Sequence, residues 1–459
     1  MTWSLFRGEL AIVLAVLLSA CGGSNGAPVN PSPTPAPPGT QRSTAVINVS
    51  DAASDRLVAL ELTFDSIALT RSDGSSVSVL SSTRRIEATH IAGTTEGLAL
   101  SSILQGTYIG AVISVSSPDI AFINNAGQVV EKEDPAFTAT VTTPISPALV
   151  VGTGPVVLNF DINAKNSVAI NLATGNVTLT PTFTVLTAPV PPAGQESEEE
   201  DQNGAFDHVV GQVTAVSATG FTMNVGQSGW RVGFKVSSST RFDNGVTFAN
   251  VVTNSLVRVE GVTQADGSIL ANEVEIVGAN PAQEAEGIVT TTFGNPVSSF
   301  SMLLHDGSGG MVTPGMLVSM ILVQISPVTT FRVDNGDLDI NGWSLPQFSA
   351  ASLSKAQRIE VDGLQNSSGL TATAVKLEQQ ALTGIVSELA NSQFTLMLPS
   401  DSAFALLTGM TTVTIYVSKS ASIDGATLVN GATVKVRGLL LLNPSQGSYQ
   451  FVASEISTP

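Results

Sequence analysis

The carboxyl-terminal half of the chain, from Ala205 onward, repeats one pattern three times. Each copy opens with Gly-x-Val, continues to a triplet that begins with Phe, and then alternates apolar and charged residues up to a second glycine. Small units that contain several short strands separated by turn residues are typical of β-barrels. The pattern therefore predicts three small β-barrel repeats, at 205–280, 281–380 and 381–459.

The repeats also carry turn signals. Asn-Gly and Asp-Gly pairs favour tight β-hairpins, and they begin at Asn244, Asp266, Asp306, Asn335, Asp424 and Asn430. The second copy is longer, with an insertion around Met311 to Leu322, and its strand order stays open. Phe221, Phe300 and Phe394 recur at one repeat position, which favours a core role over a platform for ligand stacking.

The strongest marks of the repeat are Gly211-Gln212-Val213 and Val257-Arg258-Val259-Glu260-Gly261, with their counterparts in the other two copies. With these marks, the repeat resembles the bacterial domain of unknown function 5666. The resemblance implies a barrel of the oligonucleotide/oligosaccharide-binding (OB) type, often in secreted or lipid-anchored proteins. Such a fold alone does not imply nucleic-acid binding. A formal charge of −18 predicts no nucleic-acid partner, because phosphate contacts need clustered cations.

The segment 43–187 shows short stretches in which apolar and polar residues alternate, and it predicts an antiparallel β-sandwich. The apolar phase changes between Phe64 and Ile67, which predicts a bulge near Asp65-Ser66. Turns are predicted at Asp73-Gly74 and at Thr174-Gly175-Asn176. The segment 97–104 is the one place where the sequence suggests a helical turn.

Three blocks of this domain occur in a fixed order between Ser43 and Val185: VSDAASDRLVALELTFDSIAL, QGTYIGAVISV and LNFDINAKNSVAI. They resemble the domain of unknown function 4382 of bacterial lipoproteins. Ala53 stands where that family usually has a proline. The family has no established chemistry, so the resemblance implies an envelope-exposed β domain and no catalytic residue.

The amino terminus has a short apolar run, 10–18, followed by Ser19, Ala20 and Cys21, the only cysteine. The run is too short to span a hydrocarbon layer of about 30 Å as a helix. It resembles the lipobox of bacterial lipoproteins, although Glu9 departs from the usual basic leader. The resemblance implies cleavage before Cys21, a diacylglycerol on its thiol and an acyl chain such as palmitate on its amino group.

This interpretation assigns 1–20 to a signal peptide and 21–42 to a tether rich in Pro, Gly and Ser. No aspartate follows Cys21 directly, and by resemblance to Gram-negative lipoproteins that implies the outer membrane. The acidic, Pro-rich stretch 188–204 predicts a second linker. Its carboxylates, and Asp334, Asp337 and Asp339, leave calcium binding open as an alternative.

Catalytic motifs are not recognisable. His90, His208 and His305 fall in three different regions and share no metal-ligand spacing. Asp207 beside His208 is interpreted as a surface pair at the start of a strand. Rings that could stack on ligands are scarce, because the mature chain has, apart from its phenylalanines, only Trp230, Trp343 and three tyrosines. We therefore predict no catalytic, cofactor-binding or metal-binding residue.

The leading hypothesis is a non-enzymatic protein of the bacterial cell envelope that binds the membrane through lipidated Cys21. It would act in binding, scaffolding or adhesion, with an envelope protein or a polysaccharide as partner. A glycan- or calcium-binding envelope module and an envelope hydrolase are the alternatives.

Overall fold

The structure is a computed structural model. It describes residues 41–52, 56–91, 95–188, 190, 205–225, 230–242, 246–264, 268–278, 283–308, 318–334, 338, 345–366 and 369–458. Strands dominate these residues, and the two α-helices among them are short: α1 (Ala164–Ser167) and α2 (Ala403–Thr408). The predicted fold class is confirmed, because an N-terminal β domain precedes three small closed or nearly closed barrels.

The N-terminal domain is built on one long, curved sheet. Its strands are β1 (Arg42–Ala52), β2 (Leu57–Arg71), β3 (Ser76–Ser78), β4 (Arg84–Glu87), β5 (Glu96–Leu104), β6 (Gly106–Ile123), β7 (Val129–Glu133), β8 (Thr138–Val151), β9 (Val156–Asn163), β10 (Val168–Asn171), β11 (Asn176–Leu179) and β12 (Phe183–Ala188). The order is β3-β2-β6-β8-β12-β9-β1-β5, with β4 paired to β2 and β7 to β6, and with β10-β11 as a separate hairpin. The inward side chains of the sheet share one core, so the sheet curves around it.

Two pairings in this sheet are parallel, β1 with β9 and β8 with β12, whereas the sequence predicted antiparallel pairing throughout. Parallel partners are far apart in the chain and leave no hairpin signal between them. The predicted bulge is confirmed, since the register between β2 and β6 shifts between Phe64 and Ser66. The turn at Gly74 is confirmed by its φ of 83° and by its N–H, which donates to Arg71 O.

The predicted helical turn at 97–104 is wrong, because these residues belong to β5. They pair along β1, from Gly97 opposite Asn48 to Leu104 opposite Arg42. Leu98 and Ile103 are buried in the core of the domain. Pairing with an edge of the long sheet outweighs the weak local helix signal.

The first barrel follows at Ala205. Its strands are β13 (Ala205–Ser217), β14 (Gly220–Val225), β15 (Trp230–Lys235), β16 (Arg241–Phe242), β17 (Leu256–Thr263) and β18 (Ile269–Gly278). They form a sheet in the order β15-β14-β13-β17-β18-β16. A short parallel pairing of β15 with β18 brings the sheet close to closure.

The second and third barrels are closed and share one topology. The second contains β19 (Gln283–Phe293), β20 (Ser299–Ser308), β21 (Met320–Val333), β22 (Arg358–Asn366) and β23 (Gly369–Leu377), and the third contains β24 (Gln379–Ala390), β25 (Gln393–Met397), β26 (Thr412–Asp424), β27 (Thr433–Asn443) and β28 (Ser448–Ser457). In each, the order is first-second-third-fifth-fourth, with a parallel pairing of the third and fifth strands. This is an OB-type barrel, and it settles the strand order that the sequence left open for the second copy.

The repeated glycines have a direct structural reason. A Cβ atom on Gly287 would lie 1.9 Å from Leu303 O, and one on Gly438 would lie 1.9 Å from Val452 O. The other opening and second glycines meet a facing carbonyl oxygen at 2.4 to 2.7 Å: Gly211, Gly261, Gly363 and Gly384. Each second glycine also adjoins a bulge. The glycines therefore permit the close strand approach that bends each sheet into a barrel.

The hairpin signals proved less reliable than the glycines. Asp306-Gly307 is not a turn, because both residues continue β20 opposite Glu286 and Ala285. Gly425 and Gly431 are turn residues with positive φ, but they lie in the loop between β26 and β27. The pairs at 244–245, 266–267 and 335–336 lie outside the described residues, as does most of the proposed insertion, 311–317.

Apolar clusters join these modules. Val46 and Val157, on the outer face of the N-terminal sheet, belong to the core cluster of the first barrel. Val58, Ala59 and Ala121 belong to the cluster of the third barrel. The described residues therefore form one packed body, within the compact unit Pro38–Pro459.

Candidate functional site

The three barrels can be compared at one pair of outward positions. Strand register places Gln212 opposite Asn224 in barrel 1, Ile288 opposite Leu303 in barrel 2, and Ile385 opposite Met397 in barrel 3. Each first member directly follows the opening glycine of its repeat. The residue that follows each first member belongs to the core of its barrel. Because successive side chains of a strand point to opposite faces, the pairs point outward.

A third outward position lies just before the third strand of barrels 2 and 3. Val318 and Met410 are equivalent there, because Leu304 N–H donates to Ser319 O and Leu398 N–H donates to Thr411 O in matching places. Barrels 2 and 3 therefore share an apolar triad. We call Ile385, Met397 and Met410 the barrel-3 face.

The equivalent positions differ in what covers them. In barrel 1 both side chains are polar and exposed. In barrel 2, Leu303 and Val318 are fully buried, in a cluster that continues into the N-terminal domain and barrel 3. In barrel 3, Ile385 is 41% exposed and Met397 is 42% exposed. Met410 is half-buried and packs against the core of barrel 3. In the barrel-3 face, Ile385 and Met397 are therefore the apolar side chains that stay exposed.

A cleft of about 390 Å³ opens beside this face. Met397 and Met410 line it together with Val413, Tyr449 and the charged residue Glu388. Hydroxyl side chains supply the remaining lining: Ser387, Thr395, Thr412, Thr414 and Ser448. The cleft therefore offers apolar contact, several hydrogen-bonding groups and one carboxylate.

A bulge in β24 places Glu388 at the rim. The register of β24 and β25 shifts between Ser387 and Ala390, and Glu388 has a φ of 53°. Ser387 Oγ donates to Thr395 O at 3.1 Å, and Thr395 Oγ1 donates to Glu388 Oε2 at 2.9 Å. Thr214 and Thr290 donate to the second strand in the same way in the other barrels. The bulge is thus common to the repeats, while the carboxylate beside it belongs to barrel 3.

Tyr449 forms a fixed wall of the cleft. Its hydroxyl donates to Lys355 O of barrel 2 at 3.0 Å, and its ring packs edge-on against Phe404 of α2 with centroids 5.2 Å apart. Burial raises the pKa of Tyr449, so the hydroxyl stays protonated and available as a donor. The cleft is therefore held by contacts to two neighbouring elements.

The cleft lining has no histidine or cysteine that could act as a base or nucleophile. Across the described ranges, no group of three His, Cys, Asp or Glu side chains is arranged to hold a metal ion. The apolar and hydroxyl side chains of this lining can bind a ligand through packing and hydrogen bonds.

The residues singled out from sequence lie in separate places. Cys21 and the acidic run at 196–201 lie outside the described residues, as do Asp337, Asp339 and Trp343. The side chains of His90, Asp207, His208 and Trp230 are also outside what the structure describes. Phe221, Phe300 and Phe394 are buried at 3%, 0% and 1% exposure, which confirms their core role.

The remaining candidates make structural contacts. His305 is buried in β20, where its Nε2 donates to Val58 O at 2.5 Å and its Nδ1 lies 3.9 Å from Glu87 Oε2. It therefore ties barrel 2 to the N-terminal domain. Asp334 Oδ2 lies 3.6 Å from Lys376 Nζ in β23.

Sequence reasoning missed a buried ionic cluster between barrels 1 and 2. Arg258 Nη2 lies 2.9 Å from Glu284 Oε1 and 2.5 Å from Glu360 Oε2, and the guanidinium also pairs with Glu275. Desolvation raises the pKa of Glu284 to about 8, with Arg258 opposing the rise. Desolvation, reinforced by Glu360, raises the pKa of Asp362 to about 7. The alternation of charged and apolar residues in the repeat does not indicate this burial, which depends on the packing of two barrels.

In the part of the chain that the structure describes, no helix is both long and apolar enough to cross a membrane.

Residues 210–275 match the family model described as Domain of unknown function (DUF5666). The match lies inside barrel 1 and agrees with the resemblance read from the repeat.

No curated protein matches the chain. Among solved structures, the chain is similar to one described as drosophila Unr CSD456, with 10% identity over 55% of this chain and 97% of that one. The TM-score is 0.12, and a likeness at that level carries no argument about fold or function.

Proposed function

We propose that the chain is a lipid-anchored, non-enzymatic binding or scaffold protein of the bacterial cell envelope, with the barrel-3 face as its binding surface. One observation carries the binding role: the barrel-3 face has the same apolar character as its covered counterpart in barrel 2, yet Ile385 and Met397 stay exposed. Exposed apolar patches rimmed by polar groups mark interaction sites. The packed modules around it supply a rigid support.

The anchor in this proposal is Cys21, with the 21–42 tether leading to the N-terminal domain. Support comes from the sequence alone: the apolar leader, the small residues before the cysteine, and the domain of unknown function 4382-like blocks. Several acyl chains would hold the protein on the outer membrane, since one chain gives only marginal binding. Fractionation tests this directly. Cys21→Ser should abolish palmitate labelling and membrane association, and retention of both would refute the anchor.

Photocrosslinking in intact cells tests the binding surface. A benzoylphenylalanine at Thr412, on the cleft rim, should give an adduct with the bound partner. Arg231 occupies the equivalent exposed position of barrel 1, opposite Asn224, and serves as the matched control. An adduct at Thr412 and none at Arg231 is the expected result. Equal labelling at both positions, or none at Thr412, would contradict the proposal.

Glycan binding is a second candidate. The observation that favours it is the hydroxyl-rich lining of the cleft beside Tyr449 and Met397, since sugars combine hydrogen bonds with apolar ring faces. Calorimetric titration of peptidoglycan fragments into the full chain tests it, and saturable heat that Met397→Asn removes is the expected outcome. The calcium-binding and hydrolase alternatives stay predictions, because no described contact favours either.

A further inference from the structure

We propose that the barrel-3 face docks a polypeptide segment that carries an apolar side chain next to a lysine or arginine. This inference rests on the proposed function and names the partner class of the same surface. The apolar triad would receive the apolar side chain, and Glu388 at the cleft rim would pair with the cation.

The first argument is the internal precedent of barrel 2. Its equivalent residues Leu303 and Val318 pack in a cluster with Val58 and Ala59 of the N-terminal domain. Two residues beyond Leu303, His305 donates to the backbone carbonyl of Val58. An outer face of this composition is therefore already covered by polypeptide in the same molecule, in part by a β-strand with small apolar side chains.

The second argument is the contrast with barrel 1. Where the outward pair stays in water, the residues are Gln212 and Asn224. Where the pair is covered, they are Ile288 and Leu303. Barrel 3 follows the covered pattern, with Ile385 and Met397. Isolated apolar surface residues are common, but a matched apolar pair beside a cleft points to an occupant.

Charge selects the kind of polypeptide. Glu388 is the charged side chain of the cleft lining, and the whole chain carries a formal charge of −18. That field attracts basic segments and repels a second copy of the same chain. A neutral glycan would gain nothing from the long-range field. A segment with neighbouring apolar and basic side chains therefore fits both the face and the rim.

Binding of defined peptides tests the proposal. The full chain in detergent is titrated against a fluorescein-labelled, end-blocked octapeptide of alternating Lys and Val, and fluorescence anisotropy is recorded. Peptides of alternating Glu and Val and of alternating Lys and Ser are the comparison probes. Saturable binding is expected for the Lys-Val peptide, with the other two at least about tenfold weaker.

Variants designed from barrel 1 locate the binding. Ile385→Gln with Met397→Asn gives barrel 3 the outward pair of barrel 1 at unchanged charge, and it should weaken Lys-Val binding about tenfold or more. Glu388→Gln should weaken it by a smaller factor, about threefold, and the loss should shrink in high salt. Circular dichroism checks that each variant is folded, and Glu388→Gln alone serves if the double variant is not.

Unchanged Lys-Val binding in the double variant and in Glu388→Gln would overturn the inference, and so would equal binding of the Glu-Val peptide. A chain that binds none of the peptides but still forms the Thr412 adduct also overturns it. In that case the binding surface survives and the partner is of another class, such as a glycan. Loss of the adduct itself would instead refute the proposed function.

Discussion

Barrels 2 and 3 have the same strand order and apolar residues at the same outward positions, but only in barrel 2 is the outward pair covered. Leu303 has no exposure, whereas its counterpart Met397 is 42% exposed. Barrel 2 is also joined to barrel 1 through buried Arg258 and to the N-terminal domain through His305. The position of a repeat among its neighbours therefore determines which of its faces is buried and which stays exposed.

The largest expected effect is at the joint between barrels 1 and 2. Arg258→Met leaves Glu275, Glu284 and Glu360 without the cation that faces them. Removing one partner of a buried ion pair costs about 3–5 kcal/mol. Urea denaturation at pH 8 should show that loss in the free energy of unfolding. A loss below about 1 kcal/mol would mean that barrel 2 is not held through this cluster.

A matched pair of substitutions tests the central contrast. Leu303→Asn buries a polar amide in a packed apolar site and should lower the free energy of unfolding by about 3 kcal/mol. Met397→Asn at the equivalent exposed position should change it by about 0.5 kcal/mol or less. Chemical denaturation of both variants measures the difference. Similar losses in the two would show that the barrel-3 face is packed in solution.

The free energy of unfolding should depend on pH through the buried carboxyl groups between barrels 1 and 2 and not through the barrel-3 face. The folded-state pKa of Glu284 is raised to about 8, above its ordinary value near 4.5. The stability that Glu284 contributes is therefore complete below pH 4.5 and is lost as pH rises through 8. For one proton, the free energy of unfolding falls by at most about 1.4 kcal/mol per pH unit. Asp362, raised to about 7, acts in the same direction.

We therefore expect a lower urea midpoint at pH 9 than at pH 6. Glu284→Gln should flatten that dependence, because it removes one of the titrating groups. Ile385→Gln, a change without ionisation on the barrel-3 face, should keep the wild-type slope. An unchanged slope in Glu284→Gln would assign the pH dependence to other groups.

Sequence patterns predicted what each repeat contains but not what surrounds it. The opening and second glycines, the core phenylalanines and the bulge after Phe64 are local features, and steric contact or side-chain phase fixes them. The parallel pairing of β1 with β9 and the burial of Arg258 depend on segments far apart in the chain. The exposure of Met397 depends on the same kind of information, since barrel 2 carries a similar residue and buries it. No single-sequence pattern distinguishes a covered copy from an open one.

A small effect is predicted for the cleft wall that joins the two barrels. Tyr449→Phe removes the hydrogen bond to Lys355 O but keeps the ring against Phe404. A lost neutral hydrogen bond costs about 1 kcal/mol, so the thermal midpoint should fall by a few degrees. Affinity for the Lys-Val peptide should stay within about twofold, because the apolar triad and Glu388 are untouched. A larger affinity loss at wild-type stability would instead make the tyrosine hydroxyl a direct contact of the bound segment.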